Sequence, residues 1–295
     1  MTQPGALASR WDRLSRIELP RYRGMFLNDM GETAYDLRFR VMGFPVRVHP
    51  LFWLLAFLIG GRSTDLQSVI LGMAVVFVSV LVHELGHAVA MTQFGRPAQI
   101  VLGAFGGYAA EDIGSFMSMG GRRRTPREQL IVSAAGPLAG FGLAVAAALL
   151  LTAAKVRLSI HWGFPVPIVG LDVTNSVLRS ELALRVLHLF LNLNLFWNVI
   201  NLFPVYPLDG GHIAKTLLCL KDPWNGQRTA LLLSMIVGAG VAVMSVMTQN
   251  IFLAILFGSL AFSIGNATSK RAAADDGSRY RRARDAEARC FLARA

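Results

Sequence analysis

The residues best equipped for chemistry stand together as His83-Glu84-Leu85-Gly86-His87. On a helix the two imidazoles fall at i and i+4, on one face, with the glutamate beside them. That geometry suits a zinc ion held by two ring nitrogens, with a carboxylate able to take a proton from zinc-held water. A chain of this composition would produce such a run by chance only about 0.003 times. A catalytic zinc takes three protein ligands and keeps another position for water, so one more donor is needed, and a carboxylate is the natural candidate. Asp209, in Asn201-Leu202-Phe203-Pro204-Val205-Tyr206-Pro207-Leu208-Asp209-Gly210-Gly211, is the only acidic residue between Glu181 and Asp222. Two prolines interrupt the helical pattern before it, and two glycines after it allow close backbone approach.

Other polar residues near this constellation carry less. Asn194, Asn198 and Asn201 recur at i, i+4 and i+7 as a stripe facing the same place; for Asn194 and Asn198, interhelical hydrogen bonding fits as well as chemistry. His212, three residues after Asp209, reads as support for the metal rather than a ligand. His49, before Pro50, reads as a cap or interfacial residue, His188 lies too near the outer leaflet, and Cys219 reads as an ordinary helix residue. The plain alternative for the whole cluster is a buried His/Glu hydrogen-bond group that joins helices.

The elements that must position these residues are membrane helices. The chain has 295 residues, 54% hydrophobic and 16% charged, with a mean hydropathy of +0.47. That excludes one water-soluble globule. The net charge of +11 would suit nucleic acid in a hydrophilic chain, but here the basic residues lie outside long apolar runs, so a lipid bilayer is the expected partner and nucleic acid is not. Apolar segments at 50–61, 66–94, 130–154, 182–203, 229–248 and 251–267 compare with the roughly 20 residues that cross a bilayer. Six crossings are predicted; because the first and last are short, four spans with two half-embedded helices is the alternative. With six, 24 of the 29 Lys and Arg fall on one side, which puts both termini in the cytosol. Arg122, Arg123, Arg124 and Arg127 in the inner loop agree. A carboxylate at mid-membrane costs about 2.5–3.5 kcal/mol, so Glu84 must face a hydrated, protein-lined cavity. The second and fourth spans both run inward, which brings His83, His87 and Asp209 to one depth.

Residues 36–48 alternate around Met42-Gly43 and read as a β-hairpin; Ala98–Tyr108 reads as a further extended segment, giving a small sheet at the cytosolic membrane face. Gly136, Gly140, Ala144 and Ala148 repeat every four residues as a packing ridge, and Pro137 is expected to start or kink its helix. The Arg-rich N-terminus lacks the apolar core of a signal peptide and is expected to be neither cleaved nor exported. Cys219 and Cys290, both assigned to the cytosol, are expected to stay reduced. No repeat of 20–50 residues is visible, and the last 27 or so residues read as a solvated tail.

With these residues assembled, the chain resembles the site-2 protease family of intramembrane zinc metalloproteases across roughly residues 36–265. The resemblance rests on HELGH at 83–87, NLFPVYPLDGG at 201–211, SAAGPLAG at 133–140 and GAFGGY at 103–108. It implies a polytopic α-helical membrane protein with one Zn²⁺ bound by His83, His87 and Asp209. It also implies Glu84 as the catalytic carboxylate and Asn201 as a residue that binds substrate or stabilises the oxyanion. The corresponding division is a basic cytosolic segment over 1–35, an intramembrane metalloprotease domain over 36–268 and a basic cytosolic tail over 269–295, with no inserted PDZ domain or appended CBS pair. The implied substrate is the transmembrane segment of a membrane-tethered regulator, such as an anti-sigma factor or a transcription-factor precursor, in a multi-pass protein of the cell membrane. The segment Ala98–Tyr108 is expected to hold an unwound substrate by edge pairing, or else only to plug the cavity. A metal or proton transporter, or a non-catalytic scaffold for transmembrane helices, are the rival readings.

Overall fold

The structure, a computed structural model, describes residues 32–61, 65–104, 106–111, 124–163, 165–166, 168–174, 176–266 and 268–269. Expectations for residues 1–31 and 270–295, and those resting on Arg62, Arg122, Arg123 or Cys290, lie outside the described residues.

Seven helices are described: α1 (Pro50–Gly60), α2 (Leu66–Gln93), α3 (Pro126–Ala153), α4 (Glu181–Asn201), α5 (Asp209–Lys221), α6 (Gly226–Met247) and α7 (Ile251–Asn266). Side-chain caps mark the starts of α2, α3 and α4. Asp65 accepts from the N–H groups of Gln67 and Ser68 before α2, and Thr125 and Glu128 form a reciprocal capping box before α3. The Ser180 hydroxyl accepts from Ala183 N before α4. Because α3 begins at Pro126, Pro137 lies inside the helix and does not start it.

Among the described residues, four helices are long and apolar enough to cross a membrane: α2, α3, α4 and α6. Of the six crossings predicted from the sequence, four correspond to long helices, and the first and last, already short in the sequence reading, correspond to the shorter apolar helices α1 and α7. The 11 residues of α1 rise only about 17 Å and α7 about 24 Å, against a hydrocarbon core of about 30 Å. This is a helical membrane protein with two small sheets.

The larger sheet has the order β1 (Leu37–Val41), β2 (Phe44–Val48), β3 (Ala98–Gly103), β4 (Gly106–Glu111). The expected hairpin is β1–β2, antiparallel from Leu37↔Val48 to Val41↔Phe44, and it turns at Met42 and Gly43, both with positive φ. β2 and β3 pair in parallel, Val46 opposite Ile100 and Val48 opposite Leu102, so α1 and α2 form the crossover between them. The segment read as one strand over Ala98–Tyr108 is instead a second hairpin. Gly106, at φ +119°, lets the chain reverse, and β4 runs back along β3 from Gly103↔Gly106 to Ala98↔Glu111. Among the described strands β3 is thus interior, and β4 is an edge, as is β1 at the other side. Val46, Val48, Ile100 and Leu102 bury the sheet against Phe52 of α1 and Val76 and Val80 of α2.

A second hairpin sheet, β5 (Arg157–His161) with β6 (Ile168–Asp172), joins α3 to α4 and was not anticipated. It is tied to α4 at Val169. The Val169 N–H donates to Asn192 Oδ1 (2.8 Å), and its carbonyl accepts from Asn192 Nδ2 (3.0 Å) and His188 Nε2 (2.7 Å). His188 is accordingly a structural residue. His49 also behaves as read from the sequence, its Nδ1 accepting from Leu51 N at the start of α1.

Candidate metal centre

His83 and His87 project from the same face of α2, with Nε2 atoms 3.1 Å apart. Asp209, the first residue of α5, meets both, its Oδ2 3.2 Å from His83 Nε2 and its Oδ1 3.3 Å from His87 Nε2. One donor atom from each of the three lies within 4.8 Å of the others. Asp209 does not end the fourth span, as the sequence reading had it. Instead α4 stops at Asn201, a turn carrying Pro204 and Pro207 follows, and a separate helix begins. Gly210 and Gly211 make the fold-back possible. A β-carbon on Gly210 would strike the Leu202 carbonyl, and one on Gly211 would sit 2.5 Å from Tyr206 N. Ser234 of α6 fastens the turn, donating to the Pro204 carbonyl (3.1 Å) and accepting from Tyr206 N (3.2 Å).

The far nitrogen of each imidazole is also held. His83 Nδ1 lies 2.8 Å from Asn198 Oδ1, and His87 Nδ1 lies 2.7 Å from the Val132 carbonyl. Both partners can only accept, so each Nδ1 carries the proton and each Nε2 turns a lone pair toward Asp209. The Asn198 orientation is fixed in turn, because its Nδ2 donates to the Asn194 carbonyl. Two lone pairs and a carboxylate facing one another with no proton between them repel unless a cation sits among them. The donor set fits a zinc ion with an open position.

Glu84 is 4% exposed, and its Oε2 has no hydrogen-bond partner among the described residues. It is covered by the edge strand. A β-carbon on Gly107 would come within 2.6 Å of Glu84 Cγ and 2.8 Å of its Oε1, and the backbone of Ala109 also meets the carboxylate. A buried carboxylate oxygen without a partner is costly and calls for a water or substrate group to complete it.

The glycine ridge of α3 does more than bring helices together. A β-carbon on Gly136 would collide with the His87 ring, and one on Gly140 would collide with the Asn198 amide. Gly86 of α2 lies equally close to α3, its β-carbon position 2.5 Å from the Ala135 carbonyl. The two notches therefore seat a ligand and the residue that orients the other ligand. Of the asparagine stripe, Asn198 belongs to the site. Asn194 joins helices, donating to Ser79 Oγ (2.9 Å) and the Phe190 carbonyl (2.8 Å). Asn201 donates to the Trp197 carbonyl (2.9 Å) on its own helix, and no hydrogen bond joins it to His83, Glu84, His87 or Asp209. His212 lies against Tyr206, with ring centroids 4.8 Å apart, and outside the ligand cluster. Burial pushes the Cys219 thiol up, which keeps it protonated.

Helices of membrane-spanning length surround an HExxH-type ligand pair and a distant aspartate, a donor set of the kind membrane metallopeptidases use. The sequence pattern described as Peptidase family M50 matches residues 71–244, more than half of the 295. The chain belongs to peptidase family M50, and His83, His87 and Asp209 are its zinc site. Zinc metalloprotease MJ0392 of Methanocaldococcus jannaschii is 30% identical over 192 residues, which cover 63% of this chain and 47% of that protein. Rip3 of Mycobacterium tuberculosis is 28% identical over 195 residues, covering 61% and 42%. The chain thus spans about half the length of the curated relatives it matches. A solved structure, the site-2 protease from Methanocaldococcus jannaschii, aligns with a TM-score of 0.49 at 23% identity, over 79% of this chain and 95% of that one.

Proposed function

We propose that this chain is an intramembrane zinc endopeptidase that hydrolyses a peptide bond in or near the transmembrane segment of a membrane-tethered protein. The observation that carries the reading is the unpartnered Glu84 oxygen, buried beside three converging ligands. A metal or proton transporter needs the ligands but has no use for a carboxylate fixed between two i, i+4 histidines.

Zinc, when bound, lowers the pKa of its water toward about 7 and polarises a carbonyl. The protein's own groups do the rest. Glu84 accepts the water proton and delivers it to the leaving amine nitrogen. Asn198 and the Val132 carbonyl hold the ligand rings in the required tautomer. The helical carbonyls of a transmembrane segment are already hydrogen-bonded, so cleavage requires it to unwind and find new main-chain partners. Among the described strands, β4 has a neighbour only on the β3 side and lies against Glu84, so it is the strand such a segment would join. This replaces β3, into which the sequence reading had placed part of that role. Asn201 spends one Nδ2 hydrogen on the Trp197 carbonyl of its own helix, and its second N–H is the one that would bind substrate or the oxyanion.

In this reading α1 and α7 complete the four long helices to six membrane-embedded segments, both termini are cytosolic, and the protein resides in the cell membrane. Residues 1–35 and 269–295 flank a protease domain over 36–268. The substrates are membrane-bound regulators such as anti-sigma factors or transcription-factor precursors. The test is cleavage of a transmembrane peptide by the full-length protein in liposomes. Glu84→Gln should keep one zinc per chain and lower the rate about 10²–10⁴-fold. Undiminished cleavage by that variant overturns the reading.

A further inference from the structure

The edge strand ends in an ion-pair cluster that the chemistry above does not use. Arg96, in the turn between α2 and β3, has a side chain only 4% exposed. Its Nη1 donates to Glu111, the last residue of β4, at 3.1 Å to Oε2 and 3.3 Å to Oε1. Its Nη2 lies 3.4 Å from Glu128 Oε2. Arg124 adds a second guanidinium to Glu111, Nε to Oε1 at 2.6 Å. Glu128 is the carboxylate of the α3 capping box and accepts from Thr125 N (3.3 Å). Among the described residues, Glu111, Glu128 and Arg124 thus gather around the buried Arg96 guanidinium, which favours a fixed geometry over a loose surface pairing.

Two sequence offsets connect this cluster to the site. Glu111 stands four residues beyond Gly107 on β4, about 13 Å along the strand, and Gly107 is the residue that lies on Glu84. Val132, whose carbonyl orients His87, stands one turn beyond Glu128 on α3. One cluster therefore fixes both the strand above the catalytic carboxylate and the helix behind a metal ligand. An edge strand is paired on one side only and frays unless its end is held.

We infer that Arg96, Glu111 and Arg124 are positioning residues that pin the far end of β4, so that an unwound substrate segment pairs with it beside Glu84. This inference rests on the protease reading above. Substrate binding, rather than the chemical step, is what the clamp supplies, so its loss appears in KM.

The experiment uses the full-length, zinc-loaded protein in liposomes with a transmembrane peptide substrate. Glu111→Gln should raise KM about tenfold with kcat within about twofold. Zinc affinity, read by chelator competition, should stay unchanged, and hydrogen exchange should quicken in residues 106–111 while β1 and β2 stay protected. Glu111→Asp should restore part of the KM. Arg124→Gln, which leaves Arg96 on Glu111, gives a milder form of the same pattern should Glu111→Gln fail to fold. Unchanged exchange in β4 overturns the clamp. Faster exchange with unchanged KM overturns its role in docking substrate, and a loss that follows zinc affinity overturns it as well. Absence of cleavage by the unmutated protein with the exchange difference intact instead overturns the protease reading.

Discussion

Both halves of the helical bundle contain glycines, and the two halves use them differently. Where α2 and α3 meet, a methyl group on Gly86, Gly136 or Gly140 would strike the Ala135 carbonyl, the His87 ring or the Asn198 amide. Where α6 and α7 meet, Gly238 would place a β-carbon 3.4 Å from Ala261, Gly258 would place one 3.9 Å from Ala242, and Gly240 has nothing within 4 Å. The second pair packs through ordinary apolar contact, with Leu231, Val241, Leu253, Phe257 and Leu260 buried together. In the first pair glycine is a steric requirement of the metal site, whereas in the second it is only a small helix residue. Function is concentrated where backbone and polar side chains interlock.

That contrast can be broken most directly at Gly136. Gly136→Ala forces the His87 ring out of its seat, and since the ring is a ligand the displacement falls on the metal. Zinc affinity should drop by more than the about 10–100-fold that loss of a supporting hydrogen bond costs. Zinc retained at one per chain in the purified variant would refute the steric account. A smaller effect is expected at Asn198. Asn198→Leu removes the acceptor of the His83 Nδ1 proton and should weaken zinc binding by about 10–100-fold, with Asn198→Asp recovering most of it; chelator titration of the three proteins measures both. The smallest effect belongs to the other half. Gly240→Ala should leave zinc content unchanged and stabilise α6 by about 0.5–1 kcal/mol, seen as a slightly higher melting temperature. Loss of metal there would erase the distinction between the halves.

The metal ligands were legible because their signal is local or singular. His83 and His87 are one helical turn apart, and Asp209 is the lone acid in a long stretch. The long helices were legible because hydropathy over about 20 residues is a property of the chain itself. What the ridge at Gly136 and Gly140 accommodates was not legible, since a period of four says that some neighbour comes close without saying which. Asn194 and Asn198 share a helix face, and only the packing of α2 against α4 decides which of them meets His83. Gly103 and Gly106 marked a reversal inside Ala98–Tyr108, but β-branched residues ahead of them favoured one continuous strand. The alternation of Leu158 and Ile160, with glycine and proline following, was a usable hairpin signal hidden between two strong apolar runs.

The parallel pairing of β2 with β3 has a consequence for biogenesis. The two strands are separated in the chain by all of α1 and α2, so they can close on each other only after both helices have folded back between them. The β3–β4 hairpin can form on its own, but it joins the rest of the sheet only through that closure. For the proposed protease, the complete four-stranded platform beside the metal ligands would therefore arise only once α1 and α2 are in place.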